Sequence, residues 1–287
     1  MDRRNMIMAC VAGGVAAPGA LPLLGATTPD NTVTPGFDPR FQDSVAGGVN
    51  YFKKRCDDQI PLVKALQKAI ASGDVESAKI VYIDSRPPYE EIETTAGSFA
   101  ESDADIDARP YAFEGGEQDP DFKGFHKIEN LIFAEEDLDA ARPYADGLHQ
   151  SIIRLRTELD DPTRFSPEGQ FGGMVALSTE IPAKKISSEE ETWSDQTLLI
   201  FKHNWIGIYS QFKPFADAPG ANKASIQRVD EAHRAAMATL KPHFTKGKTA
   251  ATPYSRIPIK ERRAMADASN RYRDAIIVVR DELGIKG

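Results

Sequence analysis

From Phe37 onward, apolar residues recur at three- and four-residue spacing, and the breaks between them fall at Pro and Gly. That pattern restricts the chain to packed helices, because a half-buried strand would show short alternating runs instead. Val49, Phe52, Leu62, Leu66 and Ile70 define a first helix over 45–71, which Pro61 is expected to kink or split. Ser72-Gly73-Asp74 then supplies a stop and an N-cap. A second helix is predicted over 75–99, bent or restarted at Pro87-Pro88, so that Tyr89 to Glu93 fall in a fresh first turn that favours carboxylates. Further helices are expected over 125–133, 138–159, 172–185, 192–212, 223–240 and 259–283. Their short connections predict antiparallel neighbours. No solenoid repeat is present. Glu101, Asp103, Asp105, Asp107, Glu114, Glu117, Asp119 and Asp121 crowd between Gly and Pro over 100–123. This stretch reads as a long acidic loop with a role in covering or completing a site.

The N-terminal 26 residues read as an export signal rather than structure. Arg3-Arg4 precedes an Ala/Gly-rich apolar run that ends in small residues at Gly25-Ala26. The run is interrupted by Pro18 and Pro22, and at about eighteen residues it falls short of the roughly twenty that a spanning helix needs. The paired arginines give it a twin-arginine character, with an ordinary secretory signal as the alternative. A lipoprotein cut at Cys10 is set aside, because almost no apolar run precedes it. The expected organisation is therefore signal 1–26, linker 27–43 and helical domain 44–287, with the mature chain outside the cytoplasm.

Without the signal, Cys56 is the one cysteine left, so the domain has no internal disulfide and must be stabilised by its core. A small buried apolar role suits that residue better than a reactive thiol. The formal net charge is −8, and Arg3 and Arg4 outweigh Asp2 in the leader, so the remaining chain is more acidic still. Such a surface argues against nucleic acid as a partner. It suits cation capture and plain solubility alike.

The motif richest in chemistry is Gly124-Phe125-His126-Lys127-Ile128-Glu129, which sets an imidazole and a carboxylate three residues apart. On a helix both project from one face, forming half of a metal site. Glu90 and Glu93 repeat the spacing upstream and are candidates for the other half. The simpler readings are a surface hydrogen bond for His126 and Glu129 and a helix-start pair for Glu90 and Glu93. One imidazole among several carboxylates favours iron over the Cys/His environment of structural zinc. Calcium fits the oxygen count, but the histidine argues against it. His149, His203, His233 and His243 read as packing or surface residues. Tyr89, Trp193, Trp205, Tyr209 and Phe212 read as core aromatics.

Four blocks, in order, carry a resemblance to a known family: Gly73-Asp74-Val75-Glu76-Ser77-Ala78-Lys79; Tyr89-Glu90-Glu91-Ile92-Glu93 continuing to Ser98-Phe99 and Asp105-Ile106-Asp107-Ala108-Arg109; Gly124 to Glu129; and Lys185-Ile186-Ser187-Ser188-Glu189-Glu190-Glu191. The chain resembles the imelysin-like domain of the periplasmic iron-uptake proteins EfeO and EfeM. The resemblance implies an all-α, bilobed pair of packed four-helix bundles, and a role in holding iron as Fe2+ or Fe3+. It implies service to an inner-membrane iron permease and a peroxidase-like component of an EfeUOB-type system. By motif position His126 and Glu129 would be ligands faced by Glu90 and Glu93, Asp107 would come from the acidic segment, and Glu180 is a further acidic candidate. The chain departs from the pattern at Trp193-Ser194-Asp195-Gln196-Thr197, where relatives usually show Ser-His-x-Asp. Asp195 stands in the histidine's place and Thr197 in the aspartate's. The cupredoxin-like domain that many EfeO proteins carry is not expected here, which points to the short EfeM form.

Two other functions compete. A metallopeptidase would announce itself by His-Glu-x-x-His and a serine hydrolase by Gly-x-Ser-x-Gly, and the sequence has neither. Turnover chemistry is therefore not expected. Because some relatives bind alginate, an acidic polysaccharide is the second alternative, with Lys184, Lys185, Lys202 and Lys213 as a basic cleft lining. Zinc, copper and calcium stay as alternative ions.

Overall fold

The computed structural model describes residues 37–186 and 190–286. The export signal expected at 1–26, most of the expected linker, and Ser187, Ser188 and Glu189 lie outside the described residues. Residues Thr34–Gly287 form one compact unit. The fold is all-α. Among the described residues no strand occurs, only an isolated bridge between Phe244 and Ala251.

A short 3-10 turn, Pro39–Phe41, leads into α1, Gln42–Ser72. The expected break at Pro61 does not occur, and α1 runs straight through it. One lost backbone hydrogen bond is outweighed by the buried stripe of Phe52, Cys56, Val63, Leu66 and Ile70, each side chain of this size contributing about 1.5–3 kcal/mol. Gly73 ends the helix in the left-handed conformation at φ 76°. Asp74 then caps α2, Val75–Ser85, by accepting from the Ser77 N–H. Pro87-Pro88 starts α3, Pro87–Ile92, and the chain tightens into a 3-10 segment, Glu93–Ser98.

The acidic loop expected over 100–123 is in its first part a helix, α4, Ala100–Asp107, which turns Ser102, Ile106 and Asp107 inward. The rest is turns up to α5, Phe125–Glu129, which passes into a π-helical turn, Asn130–Ala134. Asp137 caps α6, Leu138–Glu158. Ser166 caps α7, Pro167–Glu180, and this helix starts earlier than its apolar pattern suggests because Pro167 occupies its first position. It too ends in a π-helical turn, Ile181–Lys185. The last helices are α8, Thr197–Phe212; α9, Lys223–Leu240; and α10, Ile259–Glu282.

Helix α1 packs on α6, α2 and α3, while α4 and α5 lean on α6. Helices α7, α8, α9 and α10 form a second group, and α3 bridges the two by packing on both α1 and α8. One hydrophobic cluster runs through both groups, from Leu66, Leu148 and Ile152 to Trp205, Met265 and Tyr272.

The position of the bridge is set by two glycines. A Cβ on Gly173 of α7 would collide with the Thr94 carbonyl oxygen, and one on Gly207 of α8 with the Glu91 carbonyl oxygen. The backbone carrying Glu90 and Glu93 is thus clamped where only hydrogen atoms fit. No helix among the described residues is long and apolar enough to cross a membrane.

Candidate metal centre

Helix α5 begins where Gly124 adopts φ 80°, a conformation that L side chains rarely adopt, with its α-carbon against the Ile106 carbonyl. Phe125 packs its ring against Tyr82 at 6.1 Å and Tyr89 at 6.3 Å, which fixes the helix rotation. His126 and Glu129 therefore project together into the interior, with His126 Nδ1 3.2 Å from Glu129 Oε2. The π-helical turn that follows is a feature often found beside functional sites.

Opposite them stands Glu191, in the irregular segment that precedes α8. Glu129 Oε1 accepts from the backbone N–H groups of Trp193 at 3.0 Å and Ser194 at 2.8 Å. Glu191 Oε2 accepts from Ser194 Oγ at 2.8 Å and from the Tyr82 hydroxyl at 3.2 Å. His126, Glu129 and Glu191 are all buried, and one ligand atom from each lies within 4.8 Å of the others.

The other sequence candidates surround this group in a dense ionic shell. Arg86, fully buried, places Nη2 2.5 Å from Glu90 Oε1 and 2.9 Å from Asp107 Oδ1, and Nε 3.0 Å from Glu191 Oε1. Asp107 Oδ1 also lies 3.4 Å from His126 Nε2, and Arg109 pairs with Asp107 at 3.3 Å and with Glu190. Lys185 Nζ is 2.7 Å from Glu93 Oε1 and 2.8 Å from Glu190 Oε1. Asn204 donates to Glu90 at 3.1 Å and to Glu93 at 2.7 Å. Glu90 and Glu93 thus share one buried network with His126, but their carboxylates face Arg86, Lys185 and Asn204.

The electrostatics follow this arrangement. Burial pushes the Glu90 carboxyl up to about 8, against the pull of Arg86. Burial also acts to raise Asp107, but Arg86, Arg109 and His126 together hold it well below the usual range. His126 is raised: burial and Arg109 oppose its charged form, and Asp107 and Glu129 overcome them. Glu191 is raised by burial and then by the like charge of Glu129.

Not every candidate reaches the interior. Glu180 stays on the wall of a cleft of about 690 Å³ and pairs with Lys184 at 3.4 Å. Glu93, Asp107 and Arg109 line the same cleft. Asp195 is committed elsewhere, accepting from the Ser255 N–H at 2.8 Å and its hydroxyl at 2.6 Å. Thr197 Oγ1 accepts from the Glu191 N–H, so the altered Trp193 to Thr197 segment shapes the loop around Glu129 and Glu191.

The four-lysine polysaccharide cleft does not form. Lys185 is buried in ion pairs, while Lys202 and Lys213 line separate depressions. Of the remaining histidines, His203 bonds Glu91 at 2.7 Å and His233 stacks on Tyr209 at 4.2 Å, both packing roles. Cys56 is buried, and burial pushes its thiol up to about 12, so it is inert.

Asp103, also on the cleft, accepts from the Tyr89 hydroxyl at 2.5 Å, and burial pushes its carboxyl up to about 6. The folded state therefore holds this proton more tightly than the unfolded chain does. Its contribution to stability falls as pH rises from about 4 to about 6 and stays lost above that. Asp103→Asn keeps an acceptor for Tyr89 and is expected to raise Tm at pH 7 while leaving it unchanged near pH 4. Thermal melts at both values check this, and equal shifts at both would contradict it.

The donor set suits a transition-metal cation. One imidazole with two adjacent carboxylates, and further acids behind them, is a mixed nitrogen and oxygen environment. Within this group His126 turns Nδ1 to Glu129 at 3.2 Å, while Nε2 faces Asp107 at 3.4 Å.

The imelysin family model matches residues 39–276. The iron uptake system component EfeM of Pseudomonas syringae pv. syringae is 30% identical over 238 residues, which cover 82% of each chain. EfeO of Yersinia pseudotuberculosis is 29% identical over 238 residues, covering 82% of this chain and 62% of that protein. EfeO of Escherichia coli O157:H7 is 30% identical over 225 residues, covering 77% and 59%. The chain therefore spans about three fifths of the length of these EfeO relatives. With the matched region running from the first turn before α1 into α10, and the acid-and-histidine centre inside it, this chain belongs to the imelysin family, alongside EfeO and EfeM.

Proposed function

We propose that this protein is a periplasmic metal-binding component of a ferrous-type iron uptake system and that iron is its cargo. The observation that carries the reading is the buried group of His126, Glu129 and Glu191. Three ligating side chains from two distant segments converge there, backed by Asp107, Glu90 and Glu93. His126 and Glu129 hold the ion from α5 and Glu191 holds it from the loop before α8. The names of the relatives support iron as the ion, and the acid-rich donor set supports it over the Cys/His environment of structural zinc. An inner-membrane permease and a peroxidase-like component are the partners this role calls for.

Turnover chemistry is not part of this reading. A metallopeptidase needs a carboxylate free to accept a proton from metal-bound water. Here Glu129 Oε1 already accepts from two backbone N–H groups and Glu191 Oε2 from Ser194 and Tyr82, so the remaining oxygens are the ones offered to the ion. The protein is read as a carrier that takes up and hands on an ion.

An anaerobic titration of the mature protein with iron, zinc, copper and calcium tests the proposal. Iron is expected to bind, and more tightly than calcium, at a stoichiometry that falls to zero in a His126→Ala, Glu129→Ala double variant of unchanged helical content. Undiminished iron binding in that variant would refute the site.

A further inference from the structure

The feature that metal binding alone does not explain is Arg86. A fully buried guanidinium sits among Glu90, Asp107 and Glu191, each from a different element, and its carbon stacks 4.4 Å from the Phe125 ring centroid. A purely structural arginine would satisfy its donors with well-aligned, paired bonds. Arg86 does not. Its Nε and Nη1 are buried without a well-formed hydrogen bond, and so are the Glu90 Oε1 and Glu191 Oε1 atoms that face it. At Glu90 and Glu191 the contacts bring charges together without aligning donor and acceptor.

Glu191 connects this arginine to the metal centre, since it faces Arg86 through Oε1 and also belongs to the group with His126 and Glu129. Asp107 does the same, within 2.9 Å of Arg86 and 3.4 Å of His126 Nε2. Any cation held by His126, Glu129 and Glu191 must therefore compete with Arg86 for the charge of shared carboxylates. From this geometry we infer that Arg86 is a built-in competitor for those acids, and that it sets both the affinity and the ion selectivity of the site. The inference rests on the metal-binding reading above.

The physical consequence is a threshold. In a buried site an opposite charge counts heavily, and a resident monovalent cation weakens the field that an incoming ion feels. A weakly bound ion such as calcium, which relies on oxygen charge alone, then fails to gain enough. A transition-metal ion, which also takes the imidazole nitrogen, still binds. Lys185, between Glu93 and Glu190, neutralises the outer acids but touches neither His126 nor Glu191, so it does not share this role.

The test measures iron and calcium affinity, together with the metal-induced rise in Tm, for wild type, Arg86→Gln and Arg86→Lys. Glutamine removes the charge and keeps a donor for the acids. Its iron Kd is expected to fall by at least about tenfold, calcium binding is expected to become measurable, and the metal-induced Tm rise should exceed that of wild type. Lysine keeps the charge but cannot span three carboxylates with a planar fork, so its iron affinity is expected between the other two. Arg86→Gln binding iron no more tightly than wild type would overturn the inference and make Arg86 an organiser of the site. If only the lysine variant folds, weaker iron binding than wild type overturns it equally. Wild type that binds no iron would remove the metal-binding reading itself, a result distinct from unchanged affinity on losing Arg86.

Discussion

Glu191→Gln is expected to lower iron affinity by roughly a hundredfold or more while changing the stability of the metal-free protein little. The first half follows from position: Glu191 is one of the three residues proposed as ligands, whose donor atoms lie within 4.8 Å of each other. Changes that only disturb the partners of a ligand typically cost 10–100-fold, so loss of a ligand's charge lies at or beyond the top of that range. The second half follows from charge. Burial and the neighbouring Glu129 penalise the ionised form of Glu191 while Arg86 favours it, so a neutral amide relieves repulsion but gives up the Arg86 ion pair, and the two effects offset. Glutamine still offers the oxygen that Ser194 and Tyr82 require. Isothermal titration with iron and a thermal melt without metal check the two halves separately. A large drop in metal-free Tm would assign Glu191 a mainly structural role.

The largest expected loss of stability comes from Gly173→Ala. An added Cβ would collide with the Thr94 carbonyl oxygen, a backbone atom that cannot swing aside as a flexible side chain can. The 3-10 segment Glu93–Ser98 must shift, or α7 must move away from it. Overpacking of this kind costs about 1–3 kcal/mol, and a backbone collision belongs at the upper end. Because Glu93 opens the displaced segment, its bonds to Lys185 and Asn204 should loosen as well. Gly172→Ala next to it meets nothing within 4 Å and serves as the control. Chemical denaturation of both variants distinguishes the collision from a general effect of alanine in α7. Equal stability of the two would contradict the clamp.

Much of this architecture is legible in the sequence, and the misreadings have physical causes. The long helices α6, α9 and α10 fall within a residue or so of their apolar pattern, because caps such as Asp137 and Asn222 mark their starts. Pro61 is misleading because a single missing N–H is a local signal, whereas continuation of α1 depends on burial along both flanks. Helix α4 hides because Ile106 is its one large apolar residue turned inward, so its acids look like a loop. At the site, the spacing of His126 and Glu129 identifies their common face, since a helix converts sequence distance into direction. Glu191 escapes that logic, because the segment before α8 has no regular period. Arg86 escapes it too: nothing in the run before Pro87-Pro88 signals a buried guanidinium.

The two sides of the centre are far apart along the chain, with Arg86 meeting Glu191 and Glu129 anchored by Trp193 and Ser194. His126 and Glu129 therefore have no Glu191 opposite them until the later segment docks. A site that draws on both segments is complete only when the tertiary fold is, so the proposed metal loading would follow folding. Proteolytic nicking between the two halves should, for the same reason, release bound ion even where most helices survive.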